Sequence, residues 1–166
     1  MLITPEYQRQ QQKLHENPNY GVASLKFAPL VAKIVAQTGA GTLLDYGCGK
    51  GRLAEGLARH LPEDAEVGIT RYDPAVPAWS KLPDGTFDLV CCIDVLEHIE
   101  PDCLDDVLDT LASKTSTAAT PSVLMSRPVL SQWYMLASRP SSVRTRSERR
   151  ACCARRLRQP ESCSRW

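Results

Sequence analysis

The chain has 166 residues, of which 20 are Lys or Arg and 19 are Asp or Glu, so its formal net charge is +1. This length corresponds to one domain, and no apolar run approaches the roughly 18 residues of a membrane helix. The N-terminus has no basic segment followed by an apolar core, which a secretory signal would have. The chain contains seven cysteines, an odd number. We therefore expect reduced thiols in a cytoplasmic protein, rather than an exported disulfide scaffold or a membrane protein.

Charge is distributed unevenly along the chain. Residues 1–119 carry 10 Lys and Arg against 17 Asp and Glu, whereas residues 120–166 carry 10 Arg, no Lys and 2 Glu. Gly, Phe, Ile and Asp are also absent from this last segment. We predict three parts: a polar N-terminal arm at 1–19, a folded domain at 20–119, and an Arg/Ser-rich tail at 120–166 that is aberrant or disordered.

The first predicted elements are helical. A polar, glutamine-rich helix occupies the N-terminal arm, where a surface position is favoured over a lid, although Tyr20 is a candidate for covering a ligand. From Ala28 onwards, apolar residues recur on one face of a helix that has Pro29 in its first turn. A short buried strand at 42–46 and a glycine turn at 47–51 follow.

Strands and helices then alternate. A second strand ends at Tyr72, and the strongest strand, at 87–94, has the nearly continuous apolar character of a central strand covered on both faces. An amphipathic helix follows Pro101. This order predicts an α/β fold with a Rossmann-like, doubly wound parallel sheet.

The glycine turn reads Asp-Tyr-Gly-Cys-Gly-Lys-Gly from Asp45 to Gly51. Such a turn brings the backbone close to a ligand at the carboxyl end of a sheet. A phosphate loop is rejected because Gly51 follows Lys50, where a Ser or Thr is required. A dinucleotide loop is disfavoured because position 52 is Arg and not Gly.

The acid-x-Gly-x-Gly-x-Gly pattern, with Asp73 22 residues beyond Gly51 and the segment 87–99 after it, resembles the class I S-adenosylmethionine-dependent methyltransferases. The resemblance covers about residues 43–111. It implies that the protein binds S-adenosyl-L-methionine and transfers its methyl group to an acceptor, which the sequence does not identify. This cofactor has a ribose diol, an amino group and a sulfonium cation but no phosphate, so hydrogen-bond acceptors and a mildly negative setting suit it.

The resemblance implies the following cofactor-binding residues: Asp45, Gly47, Cys48, Gly49, Gly51, Asp73, Pro74, Asp94 and Val95. Asp73 is expected to accept hydrogen bonds from both ribose hydroxyls, although an Asp before a proline also forms turns. Asp45 is expected to hold the glycine loop or the amino group. His98 is the candidate general base, because imidazole titrates near neutrality, but a structural imidazole is the commoner case.

We predict no metal site. Cys91, Cys92, His98 and Cys103 lack the paired Cys-x2-Cys spacing of zinc sites, and adjacent cysteines on a strand point to opposite faces. Small buried residues are the favoured interpretation of these cysteines.

The sequence departs from the family in two places. Only 13 residues separate Asp73 from Phe87, which abbreviates the third-strand region and the adenine contact. The tail lacks the alternation of the closing strands, apart from a candidate strand at 121–126. It is either a basic arm for nucleic-acid phosphates or, as we favour, the product of a frameshift near Ala119.

These departures leave two alternatives to an active methyltransferase: a truncated, non-catalytic relative and, less favoured, a nucleotide-cofactor oxidoreductase. The oligomeric state is not predicted.

Overall fold

A single sheet of five strands runs through the computed structural model, which describes residues 1–116 fully and residues 122–126 and 134–135 by their backbone. The strands are β1 (Thr42–Tyr46), β2 (Gly68–Tyr72), β3 (Leu89–Ile93), β4 (Ser122–Ser126) and β5 (Tyr134–Met135). Their order is β2-β1-β3-β4-β5, with β5 antiparallel to β4 and all other pairs parallel. The predicted Rossmann-like sheet is confirmed.

The strand order reverses between β1 and β3, because β2 lies on one side of β1 and β3 on the other. In doubly wound sheets ligands bind outside the carboxyl ends of the strands at such a switch point. The register places Tyr46 beside Tyr72, so β1 and β2 end at the same level. The segments that follow β1, β2 and β3 therefore meet at one edge of the sheet.

The described part of the chain contains four α-helices beside the sheet. They are α1 (Pro5–His15), α2 (Ala23–Thr38), α3 (Arg52–Leu57) and α4 (Leu104–Ser113), with single 3-10 turns at Pro77–Trp79 and Leu96–His98. Residues of α2 and α3 share one core cluster with the strands, and residues of α4 share the other. No helix in the described part of the chain is long and apolar enough to cross a membrane.

The central strand β3 is buried along its whole length, as its apolar sequence predicts. Side chains alternate between the faces of a strand. Cys91 accordingly packs in the cluster with α2 and α3, whereas Cys92 packs in the cluster with α4. Both are free thiols, and burial raises the pKa of each. The two cysteines face opposite ways, as expected.

Helix α2 begins at Ala23, five residues before the predicted start, so Pro29 lies inside the helix and not in its first turn. The reason is the contact between α2 and α3. A methyl group added at Gly56 of α3 would lie 2.5 Å from Cβ of Ala28, so the two backbones approach closely there. Burial of the Ala28 methyl group in this contact recovers part of the roughly 3 kcal/mol that a proline costs in a helix interior.

The sheet is shortened where the sequence predicts it. Between β2 and β3 the described structure contains only the 3-10 turn at Pro77–Trp79, so β2 lies at the edge of the sheet. The candidate strand at 121–126 corresponds to β4, and β5 has two residues. The proposed frameshift point near Ala119 and the Arg-rich stretches after residue 135 lie outside the described residues.

Candidate functional site

A cavity of about 340 Å³ lies at the carboxyl ends of β1, β2 and β3. Its floor is formed by the segments that follow these three strands, and its walls by α1 and by residues 20–26 at the start of α2. This is the switch point of the sheet, the place where the fold class predicts a ligand.

All but one of the predicted site residues line this cavity: Asp45, Gly47, Cys48, Gly49, Asp73, Pro74, Asp94, Val95 and the candidate base His98. The exception is Gly51, which lies outside it. A methyl group added at Gly51 would lie 2.6 Å from Nε of Arg71 and 3.1 Å from the Trp79 ring. Gly51 therefore lets α3 begin close to these two side chains, and its cofactor contact stays a prediction.

Backbone hydrogen bonds fix the glycine turn. The N–H groups of Gly47 and Cys48 donate to the carbonyl oxygen of Tyr72 at 2.8 and 3.1 Å, which joins the ends of β1 and β2. Gly47 has φ +73°, and a methyl group there would lie 2.4 Å from Cγ2 of Val95. Only glycine combines this conformation with this close approach. The turn thus leaves backbone exposed to the cavity.

Asp73, at the end of β2, is held by two backbone donors. The N–H of Gly49 donates to Oδ2 at 2.9 Å and the N–H of Ala75 donates to Oδ1 at 2.9 Å. The hydrogen bond from Ala75 is a turn contact, which is the alternative role that the sequence suggests for Asp73. An ionised carboxylate has about four lone-pair sites, so both oxygens can accept further hydrogen bonds from a ligand.

Asp45 is the most deeply buried acid of the site, with 3 % of its surface exposed. Its Oδ2 has no hydrogen-bond partner among the described residues. Burial, and to a lesser extent the carboxylate of Asp73, raises the pKa of Asp45 to about 7, although the guanidinium of Arg71 opposes this shift. A buried acceptor without a donor is costly, so this oxygen fits a ligand that brings a donor or a positive charge.

A second acidic group lies at the cavity, where Asp94 and His98 line it. Asp94, Glu97 and His98 each place one oxygen or nitrogen within 4.8 Å of the others, a grouping able to hold a metal ion. Asp94 has φ +60°, which is uncommon for a residue other than glycine. Burial raises the pKa of Glu97, and the neighbouring Asp94 carboxyl adds to this shift. The sequence pattern singles out Asp94 and His98 but not Glu97.

Helix α1 supplies cavity residues that the sequence interpretation missed. Tyr7, Gln11 and His15 line the cavity, and the Tyr20 hydroxyl donates to Oε1 of Gln11 at 3.0 Å. Burial and the neighbouring Tyr20 phenol raise the pKa of Tyr7 to about 12. One face of α1 thus lines the cavity, although no residue of this helix is buried. Tyr7, Gln11 and His15 are spaced four residues apart, and this spacing indicates that they share one face of a helix.

Polar contacts hold α1 across the cavity. The Thr4 backbone N–H and hydroxyl donate to the Glu100 carboxylate at 3.0 and 2.8 Å. Nε2 of Gln8 donates to the carbonyl oxygen of Pro74 at 2.7 Å, next to Asp73. No residue of α1 itself is buried in the core, so these polar contacts, together with Leu2 packed against the core just before the helix, hold it in place.

Residues 17–147 match the model of a family described as a methyltransferase domain. The chain belongs to this family. The resemblance to class I S-adenosylmethionine-dependent methyltransferases is thereby confirmed. No curated protein sequence matches the chain.

A solved structure supports the fold. The crystal structure of a candidate O-methyltransferase from Nostoc punctiforme PCC 73102 superposes with a TM-score of 0.50 at 15 % sequence identity. The match covers 69 % of this chain and 40 % of the Nostoc chain, so the protein spans less than half the length of that relative.

Proposed function

We propose that the protein binds S-adenosyl-L-methionine in the cavity and transfers its methyl group to an acceptor. The observation that carries this proposal is Oδ2 of Asp45, which is buried at the cavity and has no hydrogen-bond partner among the described residues. An amino acid with a protonated amino group supplies the missing donor and the missing positive charge together.

The other cavity residues fit the remaining parts of this cofactor. Asp73 has lone pairs left to accept two ribose hydroxyls. Gly47 and Gly49 line the cavity without side chains, so the backbone there can come close to the amino acid portion. When bound, the cofactor supplies an already activated methyl group. The chain's own contribution is alignment of the two reactants and exclusion of water by α1.

The charge of the cavity favours this cofactor over a phosphate-bearing nucleotide. Asp45, Asp73 and Asp94 all line it, and Lys26 is the one Lys or Arg among the lining residues of the described chain. A pyrophosphate needs donors and positive charge. The oxidoreductase alternative is therefore disfavoured by electrostatics as well as by Arg52.

Thermal unfolding of the full chain with different ligands tests the proposal. S-adenosylmethionine and S-adenosylhomocysteine should raise the melting temperature, and NAD and ATP at equal concentration should not. Asp73→Asn should abolish the shift, whereas the exposed Asp84→Asn should keep it. Stabilisation by NAD alone would contradict the proposal. Stabilisation without methyl transfer to any acceptor would favour the truncated, non-catalytic alternative.

We further propose that the protein works in the cytoplasm, which is supported by the free thiols of the described chain at Cys48, Cys91, Cys92 and Cys103. The Arg-rich tail remains a candidate contact for nucleic acid. Binding of an unrelated RNA that weakens steeply with salt would support that contact.

A further inference from the structure

His15, the last residue of α1, brings an imidazole ring to the cavity beside the glycine turn. A methyl group added at Gly49 would lie 3.1 Å from Cε1 and 3.8 Å from Nδ1 of His15, so the ring lies close against the turn. Nδ1 is shielded from solvent and has no hydrogen-bond partner among the described residues. His15 is thus a second cavity residue, besides Asp45, with a buried polar atom that lacks a partner, and such an atom is costly to leave unpaired.

Two hydrogen bonds hold the chain that follows α1 against the glycine turn. Nζ of Lys50 donates to the carbonyl oxygen of Asn17, and Nη2 of Arg52 donates to the carbonyl oxygen of Pro18, the latter at 2.9 Å. The two donors come from the turn and from the first residue of α3. The position of His15 is therefore fixed by the same segment against which its ring lies.

The unpartnered atoms of Asp45 and His15 have complementary chemistry. A carboxylate accepts hydrogen bonds, whereas a neutral imidazole carries one N–H, on the nitrogen that finds an acceptor. An amino acid has its amino group and its carboxylate on one carbon atom, so both groups must find partners close together. The glycine turn begins two residues after Asp45 and contacts His15 at Gly49, so the acceptor and the donor lie by the same turn.

We propose, on the basis of the cofactor binding proposed above, that Nδ1 of His15 donates a hydrogen bond to the carboxylate of the cofactor's amino acid portion while Asp45 meets its amino group. His15 is then a specificity-determining residue, which selects thioadenosines that carry a carboxylate over those that lack one. No proton needs to be taken up, because the neutral ring already carries the N–H.

Two other cavity residues could in principle meet a carboxylate, but they are placed less well. Lys26 is exposed on α2, where water satisfies its ammonium group. His98 lies beside the carboxyl group of Asp94, which repels a second carboxylate. His15, in contrast, lies against glycine backbone, which lets a ligand come close.

Calorimetry of the full chain with three ligands that share the thioadenosine part tests the inference. S-adenosylhomocysteine carries the amino group and the carboxylate, its decarboxylated analogue carries only the amino group, and 5′-methylthioadenosine carries neither. The measured quantity is the affinity for S-adenosylhomocysteine divided by the affinity for the decarboxylated analogue. Attraction of the acidic cavity for the amino group is the same in every variant of His15, so it cancels when this ratio is compared between proteins.

His15→Phe keeps an aromatic ring against Tyr20, whose ring centroid lies 5.2 Å away, but removes the donor. The ratio should fall roughly tenfold or more, the size of one hydrogen bond to a charged group, and the affinity for 5′-methylthioadenosine should stay the same. His15→Asn should restore most of the ratio, because its amide nitrogen corresponds to Nδ1. His15→Gln, whose nitrogen corresponds to Nε2, should not restore it. The exposed His60→Phe is the control.

Three calorimetric results would overturn the inference. They are an unchanged ratio in His15→Phe, an equal loss of affinity for all three ligands, which would indicate a structural role, and a restored ratio in His15→Gln but not in His15→Asn. The same measurement separates the two proposals. Binding of S-adenosylhomocysteine with an unchanged ratio removes only the inference, whereas no binding removes both.

The proton on His15 can also be observed without catalysis. The chain has three histidines, so long-range proton–nitrogen NMR can follow each imidazole in the full chain. In the complex with S-adenosylhomocysteine, His15 should carry its proton on Nδ1, and the spectrum of His60 should not change. A His15 ring without a proton on Nδ1 in this complex would overturn the inference.

Discussion

Replacing Asp45 by Asn removes a buried charge while keeping the shape of the side chain. The wild-type carboxyl exposes 3 % of its surface, and its Oδ2 has no hydrogen-bond partner among the described residues. The ionised form therefore loses hydration without full compensation from the protein. We expect Asp45→Asn to remove a destabilising charge from the folded protein at neutral pH. It should also weaken cofactor binding, because Asn keeps only one acceptor oxygen and carries no charge to meet the cofactor's amino group.

The size of the effect follows from the pKa. Burial raises the pKa of Asp45 from 3.8 to about 7. The folded state therefore holds the proton more tightly than the unfolded state does. Folding stability is greatest below the unfolded pKa and falls as the pH rises towards the folded one. At roughly 1.4 kcal/mol per pH unit, the full shift of about three units corresponds to about 4 kcal/mol, and about 3 kcal/mol of this stability is lost between pH 5 and pH 8.

Urea unfolding of the wild type and of Asp45→Asn at several pH values measures this pH-dependent contribution to stability. The free energy of unfolding of Asp45→Asn minus that of the wild type should grow by about 3 kcal/mol from pH 5 to pH 8. The free-energy cost of burying the amide does not depend on pH, so it cancels when the values at pH 5 and pH 8 are subtracted. For the control Asp64→Asn, at an exposed position, the difference in unfolding free energy from the wild type should not change with pH. A difference for Asp45→Asn that stays constant within about 0.5 kcal/mol would refute the assignment of Asp45 as a desolvated acid.

Three further predictions concern the same cavity and its support. Binding of S-adenosylhomocysteine at pH 7 should release up to about half a proton, because Asp45 ionises when the ligand binds. The binding heat measured by calorimetry should then differ between Tris and phosphate buffers. Equal heats in the two buffers would contradict this. Gly47→Ala should destabilise the fold by about 2–4 kcal/mol in urea unfolding, because the added methyl group would meet Val95. The same substitution should abolish ligand binding. An unchanged affinity would mean that the ligand binds elsewhere. Gly56→Ala should cost about 1–3 kcal/mol against Ala28 but change the affinity less than twofold.

Much of the cavity floor was predictable because it rests on local patterns. A glycine turn after a buried strand, an acid at the end of the next strand and an acid at the end of the third are all visible in the sequence. Parallel strands bring these ends together, so Asp45, Asp73 and Asp94 meet at one edge without further information. The buried strand β3 was equally clear, since every residue in it is apolar.

The position of helix α1 at the cavity and the grouping of Asp94, Glu97 and His98 were not predictable in the same way. Helix α1 is polar and has no buried residue, so no apolar stripe indicates which face it turns inwards. Glu97 joins Asp94 and His98 because the chain turns sharply after β3, with Asp94 at φ +60°. Gly51 fits the family pattern, but its contact with Arg71 and Trp79 depends on how closely β2 approaches α3.

Titration of the full chain with S-adenosylhomocysteine by isothermal calorimetry tests the central claim most directly. The ligand carries the amino and ribose groups that Asp45 and Asp73 are proposed to bind, and it needs no acceptor. We predict saturable binding to one site, which is lost in Asp73→Asn and kept in Asp84→Asn. A folded protein that gives no heat at high micromolar ligand would contradict the account.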